Sequence, residues 1–335
     1  MAVYKELAST RDMPREEWLE LRRTGIGGSD AGAILGLSPF SSPFSVWADK
    51  VGLKPDLPDS EALRVGRDLE DYVARRFSER ASLRVERKNS ILRSVEYPWM
   101  LANIDRKIVG RAAGLECKTT SAYNYRNFVS PDGSVSLPAH YYVQCVHYMA
   151  VTGYEDWFLA VLVMGTDFRV YRFTREESPE ADDRVDGVVY VSSEEIETLV
   201  RQEEAFWRLV EARTPPEVDG SRATTETLGA LYPAADEGAD AEDLSDMRTV
   251  FDALSAAKER KRQAEDEAAE LENRIKARLG EAPCGICGEF RVLWTNQTRK
   301  SIDTTRLKKE RPDVAGAYMR ESVSRVLRLT KQKGA

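Results

Sequence analysis

No stretch of this 335-residue sequence comes near the roughly 18 consecutive apolar residues that a membrane span needs. The opening MAVYKELASTRD lacks the basic-then-apolar pattern of a secretion leader, so a soluble protein of the cytoplasm with no membrane partner is expected. Histidine is scarce, at two, which leaves little material for a histidine metal centre or a histidine general base. Four cysteines, Cys117, Cys145, Cys284 and Cys287, are too few and too scattered for a disulfide framework, and they fit a reducing compartment. Cys284 and Cys287 make half a zinc site at most, because neither His140 nor His147 stands at ligand spacing from them. With the other two cysteines far upstream, an iron–sulfur cluster on four cysteine ligands is equally unsupported.

Overall charge also argues at first against a polyanion partner, since the net value is −7. The average conceals segregation. Residues 176–246 hold 5 basic and 21 acidic side chains, whereas residues 291–335 hold 12 basic and 4 acidic ones. One acidic middle segment supplies the deficit, and the basic last stretch is compatible with nucleic-acid backbone at that end. It is equally compatible with a solubilising tail.

Periodicity orders the rest. Helices are expected over 14–22, over 61–81 with Leu69, Val73 and Phe77 every fourth residue, from Pro138 to about Val151, and over 194–212. Gly25–Asp30 interrupts the first, and Ser29 or Asp30 can cap a short helix over 31–35. Strands are expected over 83–95, 99–109, 114–120, 157–164 and 168–174. Pro215–Pro216 divides the chain into a domain of residues 1–214 and an extension of residues 215–335. That extension reads as an acidic linker, a highly charged helix over about 244–279, and a small basic β segment with strands over 290–295 and 323–330. Trp47, Trp99 and Trp157 read as core residues.

The chemistry concentrates at one hairpin. Asp105 closes a strand, a turn follows, and the next strand carries Glu116-Cys117-Lys118. Alternation puts Glu116 and Lys118 on one face while Leu115 and Cys117 pack on the other. Pairing of the two strands brings Asp105 beside Glu116, and two adjacent carboxylates repel unless a cation lies between them. A hard divalent ion with oxygen ligands suits them, Mg²⁺ first, and such an ion activates water and polarises a phosphoryl oxygen. Glu-x-Lys is also a common exposed strand pattern, so supporting positions matter. Glu70 lies beside the packing face of its helix, where a carboxylate needs a partner, either a metal or a neighbouring arginine. Gln144 is the one uncharged amide in an apolar, aromatic helix, placed to hold a water or phosphate or to be satisfied inside the core.

Five blocks in order resemble the YqaJ-type viral recombinase family, a lambda-exonuclease-like branch of the PD-(D/E)xK nuclease superfamily. They are Trp18–Asp30, Gly66–Glu70, Ala102–Asp105, Leu115–Thr119 and Tyr142–Cys145, within residues 15–175. Ile104 stands where the superfamily name expects proline. The resemblance implies an α+β restriction-endonuclease-like core, a central mixed sheet flanked by helices, with a helical and small β extension. It implies a metal, Mg²⁺ or substituting Mn²⁺, held by Asp105, Glu116 and the Cys117 backbone carbonyl with Glu70 nearby. Lys118 and Gln144 then surround the attacking water, and Arg22 and Ser29 contact a terminal 5′-phosphate. Without the family, Gly25–Gly32 reads as an ordinary capping turn, though a glycine-rich turn into a helix also presents N–H groups to an anion.

The expected function is Mg²⁺-dependent hydrolysis of DNA phosphodiesters. The family points to 5′→3′ digestion of linear duplex ends during phage recombination. It adds a single-strand annealing protein as partner, a ring-shaped homo-oligomer, and a phage or prophage origin. A structure- or nick-dependent endonuclease is the alternative within catalysis. A non-catalytic DNA-binding module on the same fold is the alternative outside it.

Overall fold

In a computed structural model, residues 3–54, 60–128, 136–180, 182–321 and 324–330 are described. They form two units, Met1–Pro233 and Ala234–Ala335. The first unit opens with β1 (Tyr4–Ser9), α1 (Arg15–Arg23), α2 (Gly28–Ile34), α3 (Pro43–Lys50) and α4 (Glu61–Ala81). Short strands follow as β2 (Val85–Arg87), β3 (Ser90–Ser94), β4 (Leu101–Ala102) and β5 (Arg106–Ile108), then the long β6 (Ala113–Thr120). The chain continues through α5 (Ala139–Thr152), β7 (Asp156–Val163), β8 (Asp167–Thr174), β9 (Gly187–Tyr190), α6 (Ser193–Glu211) and α7 (Arg222–Leu231).

The six-stranded central sheet has the order β2-β5-β6-β7-β8-β9. It is mixed, with β6 and β7 parallel and β5 and β6 antiparallel. Its two faces are sorted by strand alternation. Leu115, Phe158, Ala160 and Val170 pack on one side against Val73, Ala74 and Phe77 of α4. Trp157, Leu159, Tyr171 and Phe173 pack on the other against Val143, Val146 and Met149 of α5. The expected core, a mixed sheet between helices, is therefore present.

The expected strands over 83–95 and 99–109 are each divided between two sheets. β2 and β5 belong to the central sheet, whereas β3 and β4 join β1 in a three-stranded one. β1 escapes a local reading because its partner β3 lies eighty to ninety residues away, with Tyr4 opposite Ser94. The expected helix over 31–35 starts at Gly28, and its N-cap is Gly27 rather than Ser29 or Asp30. Asp30 instead reaches back, its Oδ2 accepting the Gly27 N–H at 2.9 Å. Trp47 and Trp157 are buried and Trp99 is packed at the core margin. The first unit runs past Pro215–Pro216 because α7 packs beside α3, where Thr224 Oγ1 donates to Ser42 Oγ at 2.8 Å.

The second unit contains α8 (Arg248–Leu279), β10 (Cys284–Cys287), β11 (Phe290–Leu293), α9 (Thr304–Glu310) and α10 (Pro312–Ala317). Here the strand over 290–295 pairs with Cys284–Cys287, and Val323 of the expected strand over 323–330 lies outside the described residues. Gly288 at φ 56° makes the tight turn possible, and residues 324–330 contain no strand. Cys284 and Cys287 sit three apart on one strand, hence on opposite faces.

Candidate active site

The register of β5 on β6 sets the geometry. Arg106 faces Leu115 and Lys107 faces Gly114, so the next step brings Asp105 opposite Glu116. Asp105 precedes β5 rather than ending a strand, and its Oδ2 accepts the Cys117 N–H at 2.8 Å. Leu115 is buried against α4 with Cys117 packed beside it, which sends Glu116 and Lys118 toward α5. There Glu116 Oε1 lies 2.6 Å from Lys118 Nζ and accepts from Gln144 Nε2 at 2.7 Å. Gln144 Nε2 also donates to Tyr148 Oη at 3.1 Å, one helical turn on. Tyr141 completes the enclosure, its ring centre 5.2 Å from Lys118 Nζ.

Electrostatics at this point are strained in one direction. Burial, then the charges of Glu116 and Glu70, hold the Asp105 carboxyl well above the usual carboxylate range. Burial likewise raises Glu116, although Lys118 and the Gln144 amide work against it. Burial opposes the Lys118 charge, yet Glu116 and Asp105 outweigh it and push the ammonium above its ordinary value. Glu116 Oε2 is buried without a hydrogen-bond partner.

Glu70 has an arginine beside it. Arg106, buried and on the α4 side, pairs with Glu70 and donates to Asp71 Oδ1 at 2.6 Å. Among the described residues no three His, Cys, Asp or Glu side chains gather closely enough to enclose a metal ion by themselves. Arg22 and Ser29 are brought together, with Arg22 Nη2 donating to Ser29 Oγ at 3.1 Å. Arg22 also stacks over Trp18 at 4.7 Å and lies 3.6 Å from Asp30 Oδ1. Behind them Lys50, whose side chain is almost fully buried, donates to Asp30 Oδ2 at 2.6 Å and to the Arg22 carbonyl at 2.9 Å. Burial opposes ionisation of Asp30, but Lys50 and Arg22 hold its carboxyl at about 2.

The glycines of this block serve close packing. A Cβ on Gly25 would lie 2.5 Å from the Trp99 carbonyl oxygen, and one on Gly28 would lie 2.7 Å from the Tyr148 ring. Gly28 thus lets α2 sit directly against the residues that hold Gln144. Sequence reasoning missed Arg106, Lys50 and Tyr148. The first two are charged residues, a type seldom buried, and only Tyr148 carried a signal, four residues after Gln144 on the same helical face.

The profile of the YqaJ-like viral recombinase domain matches residues 17–155, a span that includes every one of these side chains. The protein YqaJ of Bacillus subtilis (strain 168) is 38% identical over 321 residues, covering 94% of each chain. The chain belongs to the YqaJ family. Among solved structures, the alkaline exonuclease LHK-Exo from Laribacter hongkongensis overlays with a TM-score of 0.42 at 17% identity, over 59% of this chain and 94% of that one. Its complex with dAMP gives 0.44 at 18% identity over the same shares. No helix among the described residues of this YqaJ family member is long and apolar enough to cross a membrane.

Proposed function

We propose that this YqaJ family member is a DNA nuclease that hydrolyses phosphodiester bonds with a divalent cation, Mg²⁺ or substituting Mn²⁺. The observation that carries the reading is the convergence of Asp105, Glu116 and Lys118 on one side of the sheet. Two carboxyls held above their usual range and a buried oxygen without a partner are what a hard cation would relieve. The residues suited to hold it are Asp105, Glu116 and the Cys117 backbone carbonyl. Such an ion supplies Lewis-acid polarisation of the phosphoryl group and a water of lowered pKa.

The chain's own groups divide the remaining work. Lys118, kept protonated by its two carboxylate neighbours, places positive charge where the phosphorane gains negative charge. Gln144 fixes Glu116 by its amide and is itself fixed by Tyr148. Arg22 and Ser29, together at the start of α2, form a donor pair suited to a phosphate, and Lys50 and Asp30 hold that pair from behind. A terminal 5′-phosphate held by this pair would give 5′→3′ digestion of linear duplex ends as part of DNA recombination, where a single-strand annealing protein would take the exposed strand.

The test is digestion in Mg²⁺ of linear, nicked and closed circular duplex DNA with defined 5′ ends. Degradation of the linear form alone, stimulated by a 5′-phosphate and lost in Glu116→Ala and Lys118→Ala, is expected. Full activity in either variant overturns the nuclease site. Cleavage of closed circles makes the enzyme an endonuclease instead.

A further inference from the structure

The long helix α8 has no buried residue along its 32 positions, yet Val250, Leu254, Leu271 and Ile275 fall on one line, with Phe251 and Leu279 off it. Val250 and Leu254 begin a stripe that alternates steps of four and three, the heptad spacing of a coiled-coil seam. Ala257, Ala264 and Ala268 form its middle, and Leu271 and Ile275 carry it toward the C-terminus. Lys261 is the only charge between Val250 and Ile275 on the stripe. Val250, Leu271 and Ile275 are each about half exposed, so the seam lacks a cover. On the outer face, Arg248–Asp252 at 3.0 Å and Arg262–Asp266 at 2.9 Å are paired within the helix.

We infer that α8 pairs with α8 of a second copy of this chain as an antiparallel two-stranded coiled coil. Size and charge both select that occupant. With Leu254 against the partner's Leu271, the spacing sets Ile275 against the partner's Val250 and Ala268 against the partner's Ala257. Large residues meet large ones at the two ends, and small ones meet in the middle. Lys261 then lies beside the partner's Ala264, where its stem fits and its ammonium reaches Glu265 of its own helix, 3.7 Å away.

The flanking positions agree. Arg260 faces the partner's Glu267, and Lys258 faces the partner's Glu265, each pair made twice by the two-fold axis. A parallel pair gains an attraction between Arg260 and the partner's Glu265. It also puts Lys261 against the partner's Lys261 inside the seam and Glu267 against the partner's Glu272, both repulsive.

The test uses the full chain with Cys284→Ser and Cys287→Ser. Sedimentation at micromolar concentration is expected to give an even multiple of the chain mass, because α8 pairing doubles either a single chain or a ring of chains. Arg260→Glu should halve that mass, and Arg260→Glu with Glu267→Arg should restore it. Under oxidation, a mixture of Leu254→Cys and Leu271→Cys chains should cross-link, while Leu254→Cys alone should not. A monomer overturns the inference, as does a mass unaffected by Arg260→Glu, a failed restoration, or a disulfide in Leu254→Cys alone. Helix content by circular dichroism checks that the charge variants remain folded.

Discussion

Lys118 Nζ lies 2.6 Å from Glu116 Oε1, two residues apart on the same face of β6. The contact is a product of strand alternation, and the two groups stabilise each other's charged form in a place that burial disfavours for both. Removing either charge therefore alters the other.

Lys118→Met is expected to lower DNA hydrolysis by about a hundred- to a thousandfold, the scale for losing one group aimed at a developing charge. It also leaves Glu116 with a buried charge held only by Gln144. Glu116→Gln should abolish hydrolysis while keeping or raising the melting temperature, because it removes a buried carboxylate. Digestion kinetics and thermal melts of the same preparations check this, and a Glu116→Gln protein that loses stability counts against the charge account.

The pH dependence follows from Asp105. Its folded-state pKa lies above the unfolded value, chiefly through burial and the Glu116 charge. The folded chain then binds the proton more tightly, so this carboxyl favours folding at low pH and loses that advantage as pH rises between the two values. In chelator, the melting temperature of the wild type should fall relative to Asp105→Asn as pH rises above the ordinary aspartate range. Mg²⁺ should restore the wild type more at the alkaline end and move Asp105→Asn little. A gap between the two proteins that is constant with pH would refute the account.

Gly28 tests the coupling between α2 and α5. A Cβ there would stand 2.7 Å from Tyr148 and 3.0 Å from Gln144 Cγ, so one of these side chains must move. Gly28→Ala should cost about 1–3 kcal/mol, as overpacking does, and should lower hydrolysis by displacing Gln144. Gly220→Ala is the control, since nothing lies within 4 Å of its added carbon. Equal melting temperatures for the two variants would show that Gly28 is free to change.

Much of this is legible in the sequence. The helix over 61–81 and the shared face of Glu116 and Lys118 follow from local periodicity, and the short turn between β5 and β6 carries Asp105 to the Cys117 N–H beside Glu116. What was not legible depended on distant partners. β1 has no strand signal stronger than its pairing with β3, and the split of 83–109 between two sheets is a tertiary choice. Arg106 and Lys50 are buried charges whose burial is set by Glu70 and Asp30, far away in sequence. The glycines of Gly25–Gly32 read as an ordinary capping turn, and the size of Gly25 and Gly28 is set by distant Trp99 and Tyr148.

His147 and Glu203 offer the sharpest stability test, since both side chains are fully buried. His147 Nε2 donates to the Leu101 carbonyl at 2.8 Å, and Nδ1 lies 2.7 Å from Glu203 Oε1. One imidazole thereby ties α5 to β4 and α6, one turn from Gln144. Truncating one partner strands the other in the core, so Glu203→Ala and His147→Ala should each cost about 3–5 kcal/mol. Replacing both removes the stranded charge, and the double variant should lose distinctly less than the two single losses together. Denaturant melts of the four proteins measure this coupling. Strictly additive losses would mean that the two side chains contribute packing alone, with no bond between them worth keeping.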